Sequence, residues 1–305
     1  MEDRMIITGA SAAFGPSLLA LLGSLHANWP DHPNVIVYDI GLDEATLTEL
    51  HRHGVCVRQV PAFCAHWNRH FAWKIWCLND APARQILWLD AGACVLAPLD
   101  EAFISIDKLG YFAVATHHPL TENASIAACR GCRLDPSFRN NRMTVAGCVM
   151  GFHKAGEAAP LLMEAMKVAG IEECLAATEP RHRHDQALLS LLLYKYFSPL
   201  LLADAANYMG WVSPQQVPCQ QVWVHRRRMR PEDMAALAEH IGGAATGYFP
   251  AEPEEKKPAS LKEYYWQTLH KINRRRAKAT GKVWIYDGVR DPALGGNRHG
   301  GRKCA

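Results

Sequence analysis

The sequence lacks several features that mark special classes of protein. No apolar run is long enough to span a bilayer, and the start, MEDRMIITGA, has no basic segment followed by a long apolar stretch. Strong charge is also missing, because 33 Lys and Arg residues face 30 Asp and Glu residues and leave a formal charge of +3. Such a mild charge argues against nucleic acid as a partner. We expect a globular protein of the cytoplasm.

The ten cysteines lack the spacing of a disulfide framework or a zinc site. The pair Cys129 and Cys132 forms a CxxC, but no second Cys pair and no His-x-x-x-His accompanies it, so we interpret both as loop cysteines. Most of the others lie inside apolar segments, where a free thiol behaves as a small hydrophobic group. This usage indicates a reducing compartment.

What the sequence does have is an alternation of short apolar runs and helical patterns. A chain of 305 residues with 49% hydrophobic content can bury a large core. Three strands are predicted near the start, and Asp43 is predicted to cap the helix that precedes the third. This βαβαβ pattern predicts a mostly parallel sheet flanked by helices. The predicted strands are 5–8, 35–38, 55–60, 86–89, 111–116 and 145–152; the predicted helices include 68–79, 158–168 and 187–197.

Asp90 is the centre of the candidate site. The preceding residues 86–89 are all apolar, which is typical of a strand covered on both faces. Ala91 and Gly92 follow and are small enough to let a substrate approach the backbone. Because ligands of open α/β sheets bind beyond the carboxyl ends of the strands, we expect Asp90 to face a ligand. The alternative is that Asp90 only caps a turn.

The remaining segments are less regular. The polar stretch 117–142 is predicted to be a long loop with little regular structure, and 207–211 and 222–225 are predicted to be short strands or loops. We predict a domain over 1–248, a Pro- and charge-rich linker over 249–260, and a basic amphipathic helix with a flexible tail over 261–305. That helix either docks on its own domain or contacts an anionic membrane surface, at the inner face of the membrane.

One resemblance concerns the segment TGASAAFG at 8–15, which looks like the nucleotide loop of short-chain dehydrogenases. Small residues there let a dinucleotide approach a helix N-terminus. Those NAD(P)-dependent enzymes also carry a Tyr-x-x-x-Lys pair, and no tyrosine of this chain has a lysine four residues later. Without that acid and base the loop alone does not carry hydride chemistry.

A second resemblance covers about residues 5–228 and involves several motifs in the same order. The segment LWLDAG at 87–92 is similar to the metal-binding strand end of GT-A glycosyltransferases, in particular glycogenin-like and lipopolysaccharide galactosyltransferase-like enzymes. Four further segments look like elements of those enzymes: FAWK at 71–74, AGCVMGF at 146–152, HDQ at 184–186 and VWVH at 222–225. Four matches in order outweigh a single loop, so we favour a GT-A-like fold.

The glycosyltransferase resemblance implies roles for named residues. Asp185 would bind hydroxyls of the donor sugar, and Gln186 would lie near its anomeric carbon. Lys74, together with Arg226 and Arg228, would neutralise the diphosphate leaving group. The other donor-binding residues implied are Thr8, Gly9, Ala10, Asp90, Gly92 and Gly147. The partners implied are a nucleotide-diphosphate sugar and a glycan or lipid-linked acceptor, as in polysaccharide biosynthesis, with a retaining outcome.

The resemblance also implies Mn²⁺ or Mg²⁺, with Asp90 and His225 as ligands. The chain departs from the pattern there, because Gly92 stands where the family has its second Asp. Three alternatives remain: weak metal binding with the help of phosphate oxygens, replacement of the metal by basic residues, or binding of a nucleotide sugar without transfer.

Overall fold

A sheet with parallel strands at its centre organises the fold. The computed structural model describes residues 2–176, 182–209 and 220–224. The strands are β1 (Glu2–Ala10), β2 (Val35–Asp39), β3 (Cys56–Gln59), β4 (Ala83–Leu89), β5 (Ala93–Val95), β6 (Tyr111–Pro119), β7 (Met143–His153) and β8 (Val222–Val224). The helices are α1 (Gly15–Asn28), α2 (Glu44–Arg52), α3 (Ala72–Asp80), α4 (Asp100–Leu109), α5 (Leu120–Asn123), α6 (Ile126–Gly131), α7 (Ala158–Ala169), α8 (Glu172–Ala176), α9 (His184–Tyr196) and α10 (Ala205–Tyr208). Two 3-10 turns, Ala12–Phe14 and Pro136–Arg139, complete the regular structure.

The main sheet has the order β3-β2-β1-β4-β7-β6. Strands β1 to β4 pair in parallel, which confirms the mostly parallel sheet predicted from the βαβ alternation. Strand β7 runs antiparallel to β4, with Leu89 opposite Val149, and β6 runs antiparallel to β7. Strand β7 therefore passes beside Asp90. The Asp90 backbone N–H donates to the carbonyl of Cys148 in β7 at 2.9 Å.

The burial of β4 and the cap of α2 agree with the predictions from the sequence. Residues 86–89 are fully buried, as the unbroken apolar run predicts, because helices cover both faces of the sheet. The Asp43 side chain accepts a hydrogen bond from the Thr46 backbone N–H at 2.8 Å, which confirms the predicted cap of α2. One hydrophobic cluster packs against each face of the sheet at β1 and β4, and together the two clusters hold these strands in place.

The prediction of a long loop over 117–142 is wrong. Strand β6 continues to Pro119, and α5, α6 and a 3-10 turn follow. The Ser125 hydroxyl caps α6 by accepting from the Ala128 N–H at 3.0 Å. The apolar and small residues Leu120, Ala124, Ala128 and Cys132 are buried in this stretch, but so are Asn123, Ser125 and Cys129. Ala124 and Ser125 have extended backbone and separate α5 from α6, so the buried positions do not follow one helical period.

Two smaller predictions also need correction. Cys129 and Cys132 are not loop cysteines, since Cys129 lies in α6, Cys132 caps its end and both are buried. In the segment 207–211, predicted as a short strand or loop, residues 207–208 belong to the short helix α10. The segment 222–225, also predicted as a short strand or loop, forms strand β8 over Val222–Val224. The predicted linker 249–260 and basic segment 261–305 lie outside the described residues. Within the described ranges, no helix is both long and apolar enough to span a bilayer.

Candidate active site

Three charged side chains meet where β4 ends and where helices α3 and α9 begin. The Lys74 Nζ lies 3.1 Å from the Asp90 Oδ1 and 3.4 Å from the Asp185 Oδ2. The Lys74 and Asp185 side chains are only 3% and 9% exposed, whereas that of Asp90 is 43% exposed. The fold thus brings together three residues that the sequence predicted separately, and it opens Asp90 towards solvent.

Protein oxygens surround the Lys74 ammonium. Besides the two carboxylates, its ammonium donates to the backbone carbonyl of Gly147 on β7. An ammonium has three N–H donors, and three protein oxygens face it here. Lys74 therefore ties the end of β4 to β7 and to α9, and a bond from it to a phosphate requires that one of these partners be released.

The pKa values of the cluster follow from two negative charges around one positive charge. Burial alone would lower the pKa of Lys74, but the Asp90 and Asp185 carboxylates outweigh it and raise the Lys74 pKa. Burial raises the pKa of Asp185, and Asp90 raises it further against the opposing effect of Lys74. The lysine thus stays charged, and Asp185 takes up a proton at a higher pH than an ordinary aspartate does.

Trp88 holds the other side of Asp90 and was missed by the sequence reasoning. Its indole Nε1 donates to the Asp90 Oδ1 at 2.6 Å, and the centroid of its ring lies 4.7 Å from the Lys74 Nζ. A strand places residues two apart on the same face, so the spacing of Trp88 and Asp90 was a usable signal. The buried indole orients the carboxylate and also faces the lysine as a cation–π partner.

Gln186 and Gly147 complete the site. The Gln186 Nε2 donates to the Val145 carbonyl at 2.6 Å, which fixes the side chain against β7. A Cβ built at Gly147 would lie 3.4 Å from the Gln186 Cβ and 3.8 Å from the Asp185 Oδ2. Gly147 therefore keeps the space in front of Asp185 and Gln186 clear of side-chain atoms.

The predicted residues at the end of β1 are buried by the protein's own packing. A Cβ at Gly9 would lie 2.8 Å from the Trp73 ring and 3.4 Å from the Trp88 ring. Thr8 and Ala10 are also buried. Gly15 is similar, because a Cβ there would lie 2.4 Å from the Thr46 hydroxyl. These glycines have a packing reason that is independent of a bound nucleotide, so they give the dehydrogenase resemblance little support.

Backbone strain is concentrated beside the charged cluster. His70, Phe71 and His184 have φ values of +55°, +57° and +43°, a region that bulky side chains rarely adopt. The His184 ring lies 5.3 Å from the His70 ring and 5.9 Å from the Phe71 ring. His70 and Phe71 immediately precede α3, which carries Lys74, and His184 is the first residue of α9, which carries Asp185. Backbone strain of this kind is common at functional sites, and no pattern in the sequence predicted it.

The described residues do not fit a divalent metal ion. Within them, no three His, Cys, Asp or Glu side chains come together as metal ligands. Gly92 lies in the turn after Asp90 and brings no carboxylate, and the Asp90 Oδ1 already accepts from Lys74 and Trp88. The predicted ligand His225 and the predicted phosphate contacts Arg226 and Arg228 lie outside the described residues, directly after β8.

A separate cavity lies at the opposite edge of the sheet. It has a volume of about 440 Å³ and is lined in part by Met5, Val35 and Cys56, at the amino ends of the first three strands. It contains none of the predicted site residues. The carboxyl edge is the better candidate, because the buried charges, the strained backbone and the clear space at Gly147 all lie there.

Comparisons with solved structures identify the fold. The galactosyltransferase LgtC, solved with donor and acceptor sugar analogues, is 16% identical, with a TM-score of 0.51 over 82% of this chain and 98% of LgtC. The bifunctional glycosyltransferase WbbM is 11% identical, with a TM-score of 0.55 over 87% of this chain and 51% of WbbM. The glycosyltransferase GlyE of Streptococcus pneumoniae is 9% identical, with a TM-score of 0.50 over 84% of this chain and 66% of GlyE. No family model and no curated protein matches the sequence.

These similarities confirm the predicted fold class. The chain has a GT-A-like fold, with a mostly parallel sheet flanked by helices. A dinucleotide-binding sheet continues in parallel past its fourth position, whereas here β7 occupies the fifth position and runs antiparallel. The fold therefore agrees with the glycosyltransferase resemblance and not with the dehydrogenase one.

Proposed function

We propose that the chain is a glycosyltransferase that moves a sugar from a nucleotide-diphosphate donor to a glycan or lipid-linked acceptor. The observation that carries the proposal is the cluster of Lys74, Asp90 and Asp185 at the carboxyl edge of a GT-A-like sheet. Solved proteins of this fold are named as glycosyltransferases, and LgtC was crystallised with sugar analogues of both kinds.

Asp185 and Gln186 suit the donor sugar. A buried carboxylate accepts hydrogen bonds from hydroxyl groups, and Asp185 also benefits from its place in the first turn of α9, where the helix dipole favours negative charge. Gln186 is fixed beside it, and Gly147 leaves room for a ring. A second LgtC structure is of an active-site mutant in which a glutamine is replaced by glutamate. We therefore assign Asp185 to sugar hydroxyls and Gln186 to the region of the anomeric carbon.

The proposed reaction replaces one bond at the anomeric carbon by another. The bond to the diphosphate oxygen breaks, and both its electrons leave with the nucleoside diphosphate. The acceptor oxygen forms the new bond, and its proton passes to the departing diphosphate. We propose retention at the anomeric carbon from the family resemblance and the placement of Gln186, and nuclear magnetic resonance of the product's anomeric proton tests it.

A ligand panel followed by a transfer assay tests the function. Thermal shift is measured with UDP, GDP, CMP and NAD(P), each with and without Mn²⁺, and the nucleotide that stabilises the protein then selects the donor sugars to assay. We expect a nucleoside diphosphate to stabilise the protein. We expect Asp185→Asn to weaken the stabilisation by the corresponding nucleotide sugar. Stabilisation by NAD(P) alone contradicts the proposal.

Asp80→Asn is the matched control for Asp185→Asn. Asp80 is also a partly buried carboxylate paired with a cation, Arg58, at 2.6 Å, but it lies at the far end of α3. The control separates loss of a site carboxylate from general loss of a buried ion pair. Binding of a nucleotide sugar without detectable hydrolysis or transfer across acceptors would instead indicate a binding protein.

The basic segment 261–305 is proposed to hold the protein at an anionic membrane surface. The proposal is supported by its sequence alone, in which Leu261, Tyr264, Tyr265 and Ile272 share a helical face among many Lys and Arg residues. Sedimentation with anionic vesicles, with and without this segment, tests it. Equal association of both forms contradicts a membrane role.

A further inference from the structure

We propose that Lys74 takes the place of a divalent metal ion in this site, so that the chain binds its donor without one. The inference rests on the proposed function, because it concerns how the same site meets the charge of the carboxylates and of the donor. It departs from the metal dependence that the family resemblance implies, and it starts from the atoms around the Lys74 ammonium.

The ammonium lies inside a set of three oxygen atoms. Two belong to carboxylates, Asp90 Oδ1 at 3.1 Å and Asp185 Oδ2 at 3.4 Å, and the third is the Gly147 carbonyl. Carboxylate and backbone carbonyl oxygens are the ligands that hard divalent cations prefer. In this chain the Lys74 ammonium lies among oxygens of this kind, and its side chain is almost completely buried.

A divalent ion on the same oxygens would face two obstacles. It would lie within a few ångströms of the Lys74 ammonium, and like charges at that distance in a poorly hydrated place repel strongly. It would also lack the second carboxylate, because Gly92 follows Asp90 where the resemblance calls for Asp. The Trp88 indole further holds the Asp90 Oδ1 towards the lysine. Lys74 and Trp88 thus already occupy the Asp90 Oδ1, and Lys74 pairs with the Asp185 Oδ2.

Lys74 is therefore a positioning residue, since its donors go to protein oxygens rather than to the donor diphosphate. It favours the ionised form of Asp185, the residue assigned here to the sugar hydroxyls, and it donates to Asp90 at the solvent-facing side. The charge of the diphosphate then falls to other groups, for which the sequence predicts Arg226 and Arg228.

The first experiment uses the unaltered chain, treated with EDTA and desalted. Calorimetry measures the binding of UDP and GDP with and without Mn²⁺, and electron paramagnetic resonance measures free Mn²⁺ in the presence of the protein alone. We expect nucleotide affinity to change by less than about tenfold on adding Mn²⁺, and we expect the Mn²⁺ to stay free. A protein that retains Mn²⁺, or that needs it to bind the nucleotide, overturns the inference but leaves the proposed function intact. Failure to bind either nucleotide under both conditions overturns the proposed function itself.

The second experiment removes the lysine. Lys74→Ala empties the space between the two carboxylates and is expected to acquire Mn²⁺ binding, whereas Lys74→Met fills the same space with an apolar chain and is expected to leave Mn²⁺ free. Asp185→Asn in the Lys74→Ala background should abolish the acquired binding. A folded Lys74→Ala protein that ignores Mn²⁺ contradicts the idea that these oxygens form a cation site. Circular dichroism establishes folding, and if the variants do not fold, the experiment on the unaltered chain decides.

Discussion

Replacing Lys74 by methionine is predicted to destabilise the protein in a way that depends on pH. Methionine keeps most of the volume and the apolar stem of lysine, so the change removes the charge with little loss of packing. It leaves the Asp185 carboxylate buried without its cation, and it removes the donor that faces the Gly147 carbonyl. Asp90 contributes less to the loss, because its side chain is 43% exposed and solvent screens it.

The size of the effect follows from the geometry. Two unit charges at the 3.4 Å separation of Lys74 Nζ and Asp185 Oδ2 interact by about 5 kcal/mol at an effective dielectric constant of about 20. Removing one partner of a buried pair typically costs about 3–5 kcal/mol, because the other charge stays buried. We therefore expect the free energy of unfolding at neutral pH to fall by about 3–5 kcal/mol.

The pH dependence separates this cause from lost packing. Burial already raises the pKa of Asp185 in the unaltered chain, and without Lys74 that pKa rises further. A group with a raised pKa in the folded state destabilises it as the pH rises through that value, so the deficit of Lys74→Met is largest at neutral pH. The deficit shrinks as the pH falls towards about 3.9, where Asp also becomes protonated in the unfolded chain.

Urea unfolding at pH 7 and pH 5 measures the deficit, with Lys74→Met/Asp185→Asn as the compensating variant. The reasoning is refuted if the deficit is equal at both pH values, or if neutralising Asp185 recovers none of it. In the unaltered chain the raised pKa of Lys74 affects the free energy of unfolding at alkaline pH instead. Its contribution is complete below the unfolded lysine pKa of about 10.4 and is lost as the pH rises through the folded value.

Three further changes test neighbouring parts of the site. Trp88→Phe removes the donor to Asp90 together with part of a fully buried ring, so it should cost at least about 1.5 kcal/mol in urea unfolding, and no cost would contradict both contacts. Gly9→Ala places a Cβ against the Trp73 ring and should cost about 1–3 kcal/mol, and an unchanged melting temperature would contradict that packing. Gly147→Ala meets its neighbours at ordinary contact distances, so we expect unfolding to change by less than about 1 kcal/mol. It should weaken nucleotide-sugar binding measured by calorimetry, and equal affinity would remove Gly147 from the donor site.

The fold was predictable where a short stretch of sequence determines its own environment. The run 86–89 has no polar residue, and only a strand covered on both faces accommodates it, so its burial and the exposed end at Asp90 follow together. The cap at Asp43 is equally local. The helix at 126–131 was missed because it is only six residues long and its buried residues, Ala128 and Cys129, are too few to give a periodic signal.

The contacts of the site were less predictable than its members. Lys74, Asp90 and Asp185 were each expected at the site, but whether they touch depends on the direction of β7. Antiparallel pairing of β7 with β4 sets Gly147 opposite the end of β4 and lets α9 begin beside Lys74. A single sequence carries little information about strand direction when the connecting segment is long and contains several short helices.

The contacts of Lys74 bear on whether it can bind the donor diphosphate. The family resemblance predicts that Lys74 meets the donor diphosphate, and that prediction stays untested. The structure adds a physical condition, because the ammonium donates to Asp90 and Gly147 and is paired with Asp185 at 3.4 Å. A phosphate can bind Lys74 only if the carboxylate of Asp90, the solvent-exposed partner, moves away from the ammonium. Trp88 already donates a hydrogen bond to that carboxylate and can then hold it. If donor binding releases Asp90, Trp88 should report it through its fluorescence, whereas a lysine that stays with its carboxylates leaves the indole in an unchanged surrounding.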